Sequence, residues 1–528
     1  MTDAAWWRSG VIYQIAPRSF CDGNGDGVGD LVGILQRLDH LEWLGVEGVW
    51  LCPISPTPNR DFGYDISDFC DVEPELGTMA ELDELISALH ARDMRLLLDF
   101  VPNHTADVHP WFQASRSSRT DPRRDWYVWC DAAANGGPPN NWLGRFGGSA
   151  WEWDEKTGQY YYHAFLKEQP DLNWRNPEVR EAMYDVMRFW LRRGVDGFRV
   201  DAAAVLAEDD LLRDDPPNPE ANERTPPPQR QKRVYSDDRP ETLGYMEEMR
   251  AVVDEFPDRL LLAEVDVDSG GPGRFYGFGT PRFHLPLNYG LIDSAWDADS
   301  VGGAIDDYLA AVSPHGWPDW VIGSHDKTRI ASRVGQARAR LAAMLLFTLP
   351  GTAIFYAGDE IGMPDVDVPE DRARDPFGIL VPGCALGRDP HRVPMRWSPT
   401  ANAGFTSGEP WLPVGDVPSG GTVAEQITDP DSMMSLYRRL IAFRRSALRS
   451  SDRFRARRHE AGVLLFQREG DGGRYLSALN LSGERRLVDI ADAASVRVAT
   501  DRSREGDRLY GRIELRADEG LVMELVTD

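Results

Sequence analysis

Residues 194–202 read Gly-Val-Asp-Gly-Phe-Arg-Val-Asp-Ala (GVDGFRVDA), a short apolar run that ends on charge. Alone, such a run is only a buried strand with a polar end. Its counterparts along the chain give it meaning. Runs of similar build are GVIYQIA (10–16), GVEGVWLCP (45–53), DMRLLLDFV (93–101), DRLLLAEV (258–265), FHLPLN (283–288), WVIGSHD (320–326) and TAIFYAG (352–358). Amphipathic segments such as LVGILQRLDHLEWLG and MAELDELISALHARDM lie between most of them. Eight such runs separated by helices predict an α/β fold, a parallel (β/α)8 or TIM barrel. A doubly wound open sheet also alternates, but it has no reason to stop at eight.

Two spacings break the rhythm. Residues 103–175, rich in Trp, Gly, Pro and Asn, are too long for a βα loop and predict an inserted subdomain. Residues 207–242 contain DDPPNPEANERTPPPQRQ, whose proline density predicts an irregular loop or lid; a floppy tether is the equal alternative. From about 447, runs such as GVLLFQRE and RYLSALNL alternate with DGG, SGE and DEG turns, the pattern of antiparallel β structure. The expected division is therefore barrel (1–102), inserted domain (103–175), barrel again (176–446) and a C-terminal β domain (447–528).

A chain of 528 residues exceeds one ordinary core, in keeping with that division. Its 58 basic and 85 acidic residues leave a net charge of −27, which argues against nucleic acid or an anionic membrane as partner. A neutral substrate such as a sugar is unaffected. Five cysteines at 21, 52, 70, 130 and 384 include no CxxC pair, which fits a reducing compartment. The N-terminal MTDAAWWRSGVIYQI lacks the apolar core of a signal peptide, and no run of eighteen apolar residues exists. A cytoplasmic protein is expected, monomeric or homodimeric.

Residues 22–30, DGNGDGVGD, resemble a calcium loop at first sight. Asp22, Asn24, Asp26 and Asp30 fall on ligand positions, and Gly27 on the sharp turn. The twelfth position, which must supply a bidentate Glu, is Gly33. The sensor reading fails there.

Catalytic groups of a (β/α)8 barrel sit at the C-terminal ends of its strands. Those ends carry Asp99 to His104, Arg199 with Asp201, Glu264, and His325 with Asp326. Acidic residues at a barrel rim without a cofactor motif point to glycosyl chemistry, in which two carboxylates flank the scissile bond. Arg199 and Asp201 stand two apart on a strand and face one side, so the guanidinium can aim an ionised nucleophile. Glu264 follows Leu-Leu-Leu-Ala, and an apolar wall would keep it protonated as the acid. Asp326 would hydrogen-bond ring hydroxyls as the transition state develops. Each piece has a plainer reading: a lone Asp at a strand end is commonly an N-cap, and a lone His-Asp pair a surface contact.

The ordered set is harder to explain away. Asp99-Phe-Val-Pro-Asn-His104, Gly197-Phe-Arg-Val-Asp201, Glu264 and His325-Asp326 resemble the four signature regions of the α-amylase family of glycoside hydrolases. Gln169-Pro-Asp-Leu-Asn173, Gly63-Tyr64-Asp65, HPWF (109–112), the stretch from Tyr356 to Met363 and Arg392-Val-Pro-Met-Arg-Trp397 are similar to its oligo-1,6-glucosidase and α-glucosidase branch. The resemblance implies a retaining exo-α-glucosidase acting on small neutral α-glucosides without an organic cofactor. Asp201 would be the nucleophile, Glu264 the acid/base and Asp326 the transition-state stabiliser. Tyr64, Asp65, His104, Arg199, His325 and Arg392 would line the pocket for the terminal glucose. It also implies a structural Ca²⁺, or Mg²⁺, held by Asp22, Asn24, Asp26, Asp30 and the Val28 carbonyl. In this branch Val after the nucleophile resembles α-1,6 enzymes and Thr or Ala α-1,4 enzymes; Ala202 therefore leans to maltose-like substrates.

Four positions depart from the pattern: Ser324 for Asn before His-Asp, Ala16 for Tyr, Ala263 for Gly and Arg396 for Gln. Ser replaces only part of an amide's hydrogen bonding, which puts the footing of His325 and Asp326 in question. None removes a catalytic group. Two other readings stand beside hydrolysis: a transglucosylase or isomerase of the same branch acting on sucrose or trehalose, and an inactive binding homologue similar to transporter heavy chains. The three carboxylates weigh against the last.

Overall fold

The structure is a computed structural model that describes residues 5–8, 10–265, 271, 273–277, 279–312, 316–384, 386–449, 454–470 and 472–526. Residues 1–4 and 9 of the N-terminal stretch read for a signal peptide lie outside the described residues. Among the described residues the chain forms β1 (Val11–Ile15), β2 (Gly48–Leu51), β3 (Arg95–Phe100), β4 (Trp129–Cys130), β5 (Trp151–Asp154), β6 (Gln159–Tyr162), β7 (Gly197–Val200), β8 (Leu260–Ala263), β9 (Leu285–Pro286), β10 (Asp319–Val321) and β11 (Thr352–Tyr356). Eight of these pair in parallel in the order β10-β11-β1-β2-β3-β7-β8-β9. This is the expected barrel, nearly closed.

Its strands read as almost unbroken apolar runs because both faces are buried. The inner layer includes Ile12, Trp50, Leu97, Leu262, Val321 and Ile354. Gly197 is demanded by its neighbour: a Cβ there would lie 2.0 Å from the Leu260 carbonyl oxygen, so only glycine lets β7 approach β8. The seam between β9 and β10 is closed differently. The Asn288 N–H donates to Asp319 Oδ1 at 3.0 Å, and Tyr308 Oη donates to Oδ2 at 3.1 Å. Burial pushes the Asp319 carboxyl up to about 8.

The amphipathic segments mostly become helices. Met79–His90 starts on a capping box in which Thr78 and Glu81 satisfy each other's backbone N–H. The segment 31–45 is two helices, Leu31–Leu35 and Leu38–Leu44, rather than one.

Between β3 and β7, strands β4, β6 and β5 form an antiparallel sheet faced by Phe112, Tyr127, Trp129 and Tyr161. The proline-rich segment is not a free tether. Asn141 exchanges hydrogen bonds with Asp215, Trp142 Nε1 donates to the Arg213 carbonyl, and Arg145 pairs with Asp237. The two excursions from the barrel are thus stitched together.

After the barrel, β12 (Phe454–Glu460), β13 (Val463–Gly470), β14 (Gly473–Asn480), β15 (Arg486–Ala499), β16 (Arg508–Leu515) and β17 (Gly520–Leu525) form an antiparallel sheet ordered β12-β13-β14-β17-β15-β16. Its own apolar core includes Leu465, Val488, Ile513 and Met523. The start of this unit adjoins residues 450–453, which lie outside the described residues.

Candidate active site

Parallel pairing carries the reactive side chains to one end. Asp99 and Arg199 are register partners on β3 and β7. The ladder runs one residue further: the Asp201 N–H donates to the Phe100 carbonyl at 2.8 Å, and the Glu264 N–H to the Val200 carbonyl at 2.9 Å. Both carboxylates therefore leave the rim just beyond the strand ends. Ala202 then turns the chain away in the left-handed region, at φ 46° and ψ 38°, a conformation alanine adopts only under constraint.

Arg199 is the hub. Its Nη1 donates to Asp99 at 2.9 Å and to Asp201 at 2.6 Å, and its Nη2 to Glu264 at 2.7 Å. The Glu264 carboxylate therefore meets a guanidinium, not the apolar wall expected from Leu-Leu-Leu-Ala, of which Leu260 and Leu262 pack into the barrel interior and Leu261 and Ala263 into the surrounding core. Burial pushes the Asp201 carboxyl well above the usual range; Arg199 opposes this, and Glu264, Asp99 and Asp326 add to it. Burial likewise lifts Asp99 to about 6, against Arg199 and the Tyr64 hydroxyl.

Asp326 is the counterpart on the opposite wall. Burial works against its anion, yet His325 at 3.2 Å and the guanidinium groups of Arg388 and Arg392, at 3.2 and 2.5 Å, hold it well below the usual carboxylate range. His325 is itself pushed well below its ordinary value by burial, so it meets Asp326 as a neutral donor and the arginines supply the charge. Gln14 Nε2 donates to His325 Nδ1 at 2.7 Å, which leaves the ring proton on Nε2, between Tyr64 Oη at 2.8 Å and Asp326. Tyr64 and Phe62 stack on the same ring. Ser324 keeps the turn that an Asn would make: its Oγ accepts the Asp326 N–H at 3.2 Å.

These groups close one end of a cavity of about 390 Å³. Asp201, Glu264, Asp326, Tyr64, His104, Asp61 and Arg388 line it from the barrel side. Arg145, Phe146 and Phe165 from the insert, Pro228, Gln229 and Arg233 from the proline-rich segment, and Ala202, Lys327, Phe377 and Leu386 line the rest. His104 is held neutral by burial, at about 4.

Several expected contacts are displaced. Asp65 is fully buried and does not face the cavity; its carboxylate accepts from Thr57 Oγ1 and the N–H groups of Arg60 and Asp61. It shapes the loop that presents Asp61, which takes the place in the wall expected of Asp65. Arg199, His325 and Arg392 stand behind the wall and act through the carboxylates they hold. Sequence reasoning missed Asp61, Arg388 and Gln14. Arg388 Nη2 reaches Asp61 at 2.8 Å and Asp375 at 2.7 Å, while its Nη1 reaches Asp326, tying three loops together.

The cation-loop residues lie at the first βα connection. Asp22 Oδ1 accepts from the N–H groups of Asn24 and Gly25, Asn24 from Asp26, and Asp26 from Val28. Asp30 caps the helix Leu31–Leu35 by accepting the Gly33 N–H. In chemistry the donor set fits a hard cation. Among the described residues, however, no three His, Cys, Asp or Glu side chains gather closely enough to hold a metal. The five cysteines are free, and among the described residues no helix is long and apolar enough to cross a membrane.

The model of the α-amylase catalytic domain matches residues 14–451. The chain belongs to the α-amylase family. A probable α-glucosidase of Rhizobium meliloti (strain 1021) is 42% identical over 460 residues, covering 84% of this chain and 83% of that protein. An α-glucosidase of Apis mellifera is 38% identical over 514 residues, covering 93% and 89%. The solved α-glucosyl transfer enzyme XgtA superposes with a TM-score of 0.92 at 37% identity, covering 99% of this chain and 100% of that one. This member of the family is an enzyme of the glycoside hydrolase type, with the catalytic barrel and the C-terminal sheet both in place.

Proposed function

We propose that this protein is a retaining exo-α-glucosidase that releases terminal glucose from short α-glucosides, chiefly α-1,4-linked ones. The observation that carries the reading is the pair of carboxylates, Asp201 and Glu264, held by two nitrogens of one guanidinium at the end of a pocket. That arrangement is compatible with the roughly 5–5.5 Å separation used by retaining glycosidases.

Asp201 attacks the anomeric carbon while Glu264 donates its proton to the glycosidic oxygen, forming a glucosyl ester on Asp201. Glu264 then deprotonates a water that hydrolyses the ester. Asp326, ionised by Arg388 and Arg392, binds ring hydroxyls as positive charge develops on the sugar. Asp61 and Arg388 bound the inner end for one glucose unit, which favours attack at a chain terminus. The Ala202 methyl leaves room beside the leaving group, the basis of the α-1,4 reading.

Transfer to a sugar acceptor is the second reading, favoured by the likeness to XgtA. Both use the same ester and differ in what attacks it. Products from maltose, isomaltose, sucrose and trehalose separate them. The nucleophile is tested by Asp201→Asn on p-nitrophenyl α-glucoside, with loss of at least about 10³-fold in kcat expected. Hydrolysis at the parental rate would rule the assignment out.

The loop 22–30 is proposed to hold Ca²⁺ or Mg²⁺ through Asp22, Asn24, Asp26, Asp30 and the Val28 carbonyl. Its oxygens already accept loop N–H groups, so an ion would add rigidity to a turn that its own hydrogen bonds help to hold. We place the protein in the cytoplasm, as monomer or homodimer, on its thiols and charge.

A further inference from the structure

Strand β1 reads Val-Ile-Tyr-Gln-Ile, and Gln14 within it is 1% exposed. Ile12 belongs to the inner layer of the barrel, so Gln14, two residues on, points to the same interior but nearer the catalytic end. A primary amide is costly in such a place unless its hydrogen bonds are made. Its Nε2 lies 2.7 Å from His325 Nδ1, with the Cys52 sulfur at 3.5 Å as a weaker acceptor. An amide nitrogen only donates, so Nδ1 meets it with a lone pair.

The other ring nitrogen gives the same answer independently. Tyr64 Oη is 2.8 Å from Asp99 Oδ2 and 2.8 Å from His325 Nε2. Burial lifts Asp99 only to about 6, and its Oδ1 takes Arg199 Nη1 at 2.9 Å, so at neutral pH Oδ2 accepts the Tyr64 hydroxyl proton. The Tyr64 oxygen is then an acceptor toward His325, which requires an N–H at Nε2. Hydrogen bonds therefore run one way, from Gln14 through His325 and Tyr64 to Asp99. Asp326 stands beside this line. Arg388 and Arg392 both bond its Oδ1, whereas Oδ2 is met by His325 Nε2 at 3.2 Å. Phe62, stacked at 6.1 Å, and Trp50, edge-on at 6.4 Å, fix the plane of the imidazole but not the place of its proton.

We infer that Gln14 is a positioning residue for the glycosyl reaction: its amide fixes the tautomer of His325, so that Asp326 Oδ2 meets an N–H instead of a lone pair. The inference rests on the glucosidase reading above and adds a residue to the machinery of that site. Gln14 does not line the cavity and acts through His325. With the proton on Nδ1, the ring would turn an N–H against the Gln14 amide and a lone pair against Asp326 Oδ2. Oδ2 is the oxygen that neither arginine engages, and so the one available to a ring hydroxyl. Repulsion there would displace it as charge develops on the sugar, which costs the transition state more than the bound substrate.

The test reads the tautomer directly. In enzyme labelled with nitrogen-15 histidine, solid-state nitrogen spectra distinguish protonated from bare ring nitrogens, and His325 is identified by the signals lost in His325→Gln. At neutral pH the parent should show His325 protonated at Nε2 and bare at Nδ1. Gln14→Leu removes the donor, so signals of the form protonated at Nδ1 should appear. Its kcat on p-nitrophenyl α-glucoside should fall about tenfold, the worth of one buried hydrogen bond, with KM changed by no more than about threefold. Gln14→Met, unbranched and equally without a donor, repeats the measurement if the leucine variant does not fold. A parent His325 protonated at Nδ1 overturns the inference without any variant. So does a folded Gln14→Leu or Gln14→Met enzyme that keeps the parental tautomer, or whose kcat stays within about twofold of the parent's. Inactivity of the parent on p-nitrophenyl α-glucoside and maltose would instead strike the glucosidase reading, and the spectrum of its His325 would still decide what the amide does.

Discussion

Replacing Arg199 by Gln removes the guanidinium that touches Asp99, Asp201 and Glu264 together, at 2.6–2.9 Å. The side chain is 1% exposed, so its charge is little screened by water in the folded protein. Unit charges about 4 Å apart interact by about 4 kcal/mol at an effective dielectric constant near 20. The Asp201 carboxyl would rise further once its counter-charge is gone, because Arg199 is what opposes the effect of burial. Asp201 is already raised by burial, with Glu264, Asp99 and Asp326 adding to the shift. The sign follows directly: a raised carboxyl pKa means less nucleophile at a given pH. At neutral pH kcat/KM should drop about 10²–10³-fold and recover about tenfold per pH unit as the solution is made alkaline. Breaking the network also costs about 3–5 kcal/mol of stability, so melting curves must accompany the kinetics. The assay is p-nitrophenol release from p-nitrophenyl α-glucoside between pH 5 and 9, quenched in base. A folded Arg199→Gln enzyme whose pH profile overlays that of the parent within twofold would refute the account of Arg199.

Three other outcomes are expected. Ala202→Val places two methyl groups beside Asp201 and should shift the isomaltose-to-maltose ratio of kcat/KM about tenfold toward isomaltose, as measured by glucose release; an unchanged ratio removes the basis for the linkage reading. Asp319, pushed up to about 8 by burial, retains its proton when folded, so its contribution is full below the unfolded value near 4 and is lost as pH rises toward 8. Thermal melts should therefore show Asp319→Asn gaining on the parent between pH 5 and pH 8, by up to about 1.4 kcal/mol per pH unit, and a pH-independent difference would contradict the assignment. Because the loop 22–30 is satisfied by its own N–H groups, chelation should lower Tm by only a few degrees while leaving kcat on maltose intact; indifference of both Tm and activity to chelator and to added Ca²⁺ would dismiss the cation site.

What could be read from the chain was what depends on local pattern. The barrel was legible because each strand is an apolar run punctuated by a helix, and the catalytic carboxylates because parallel strands deliver their C-terminal ends to one face. The seam was not legible. FHLPLN shortens to the two residues Leu285–Pro286, and closure falls to the Asp319 side chain, which no periodicity marks. Asp61 and Arg388 were missed because they meet across 327 positions, on loops whose course nothing local dictates. Asp65 drew attention beside Tyr64, yet it is the buried brace of the loop rather than its working face. The expected apolar wall at Glu264 failed for a related reason: Leu-Leu-Leu-Ala describes the strand that precedes the carboxylate, whereas its surroundings come from β7. Ser324 shows the converse, a substitution that looked disruptive but retains the one acceptor its turn uses.

The stitching of the insert to the proline-rich segment makes the two a single unit of inheritance. Asn141 with Asp215, Trp142 with Arg213 and Arg145 with Asp237 join stretches that leave the barrel after different strands, and the outer cavity wall draws on both. Exchanging one stretch for that of a relative would leave buried donors without acceptors, whereas exchanging both would carry their side of the mouth across intact. Aglycone preference in such a chain can drift while the barrel that performs bond cleavage stays constant, provided that the two pieces change in step.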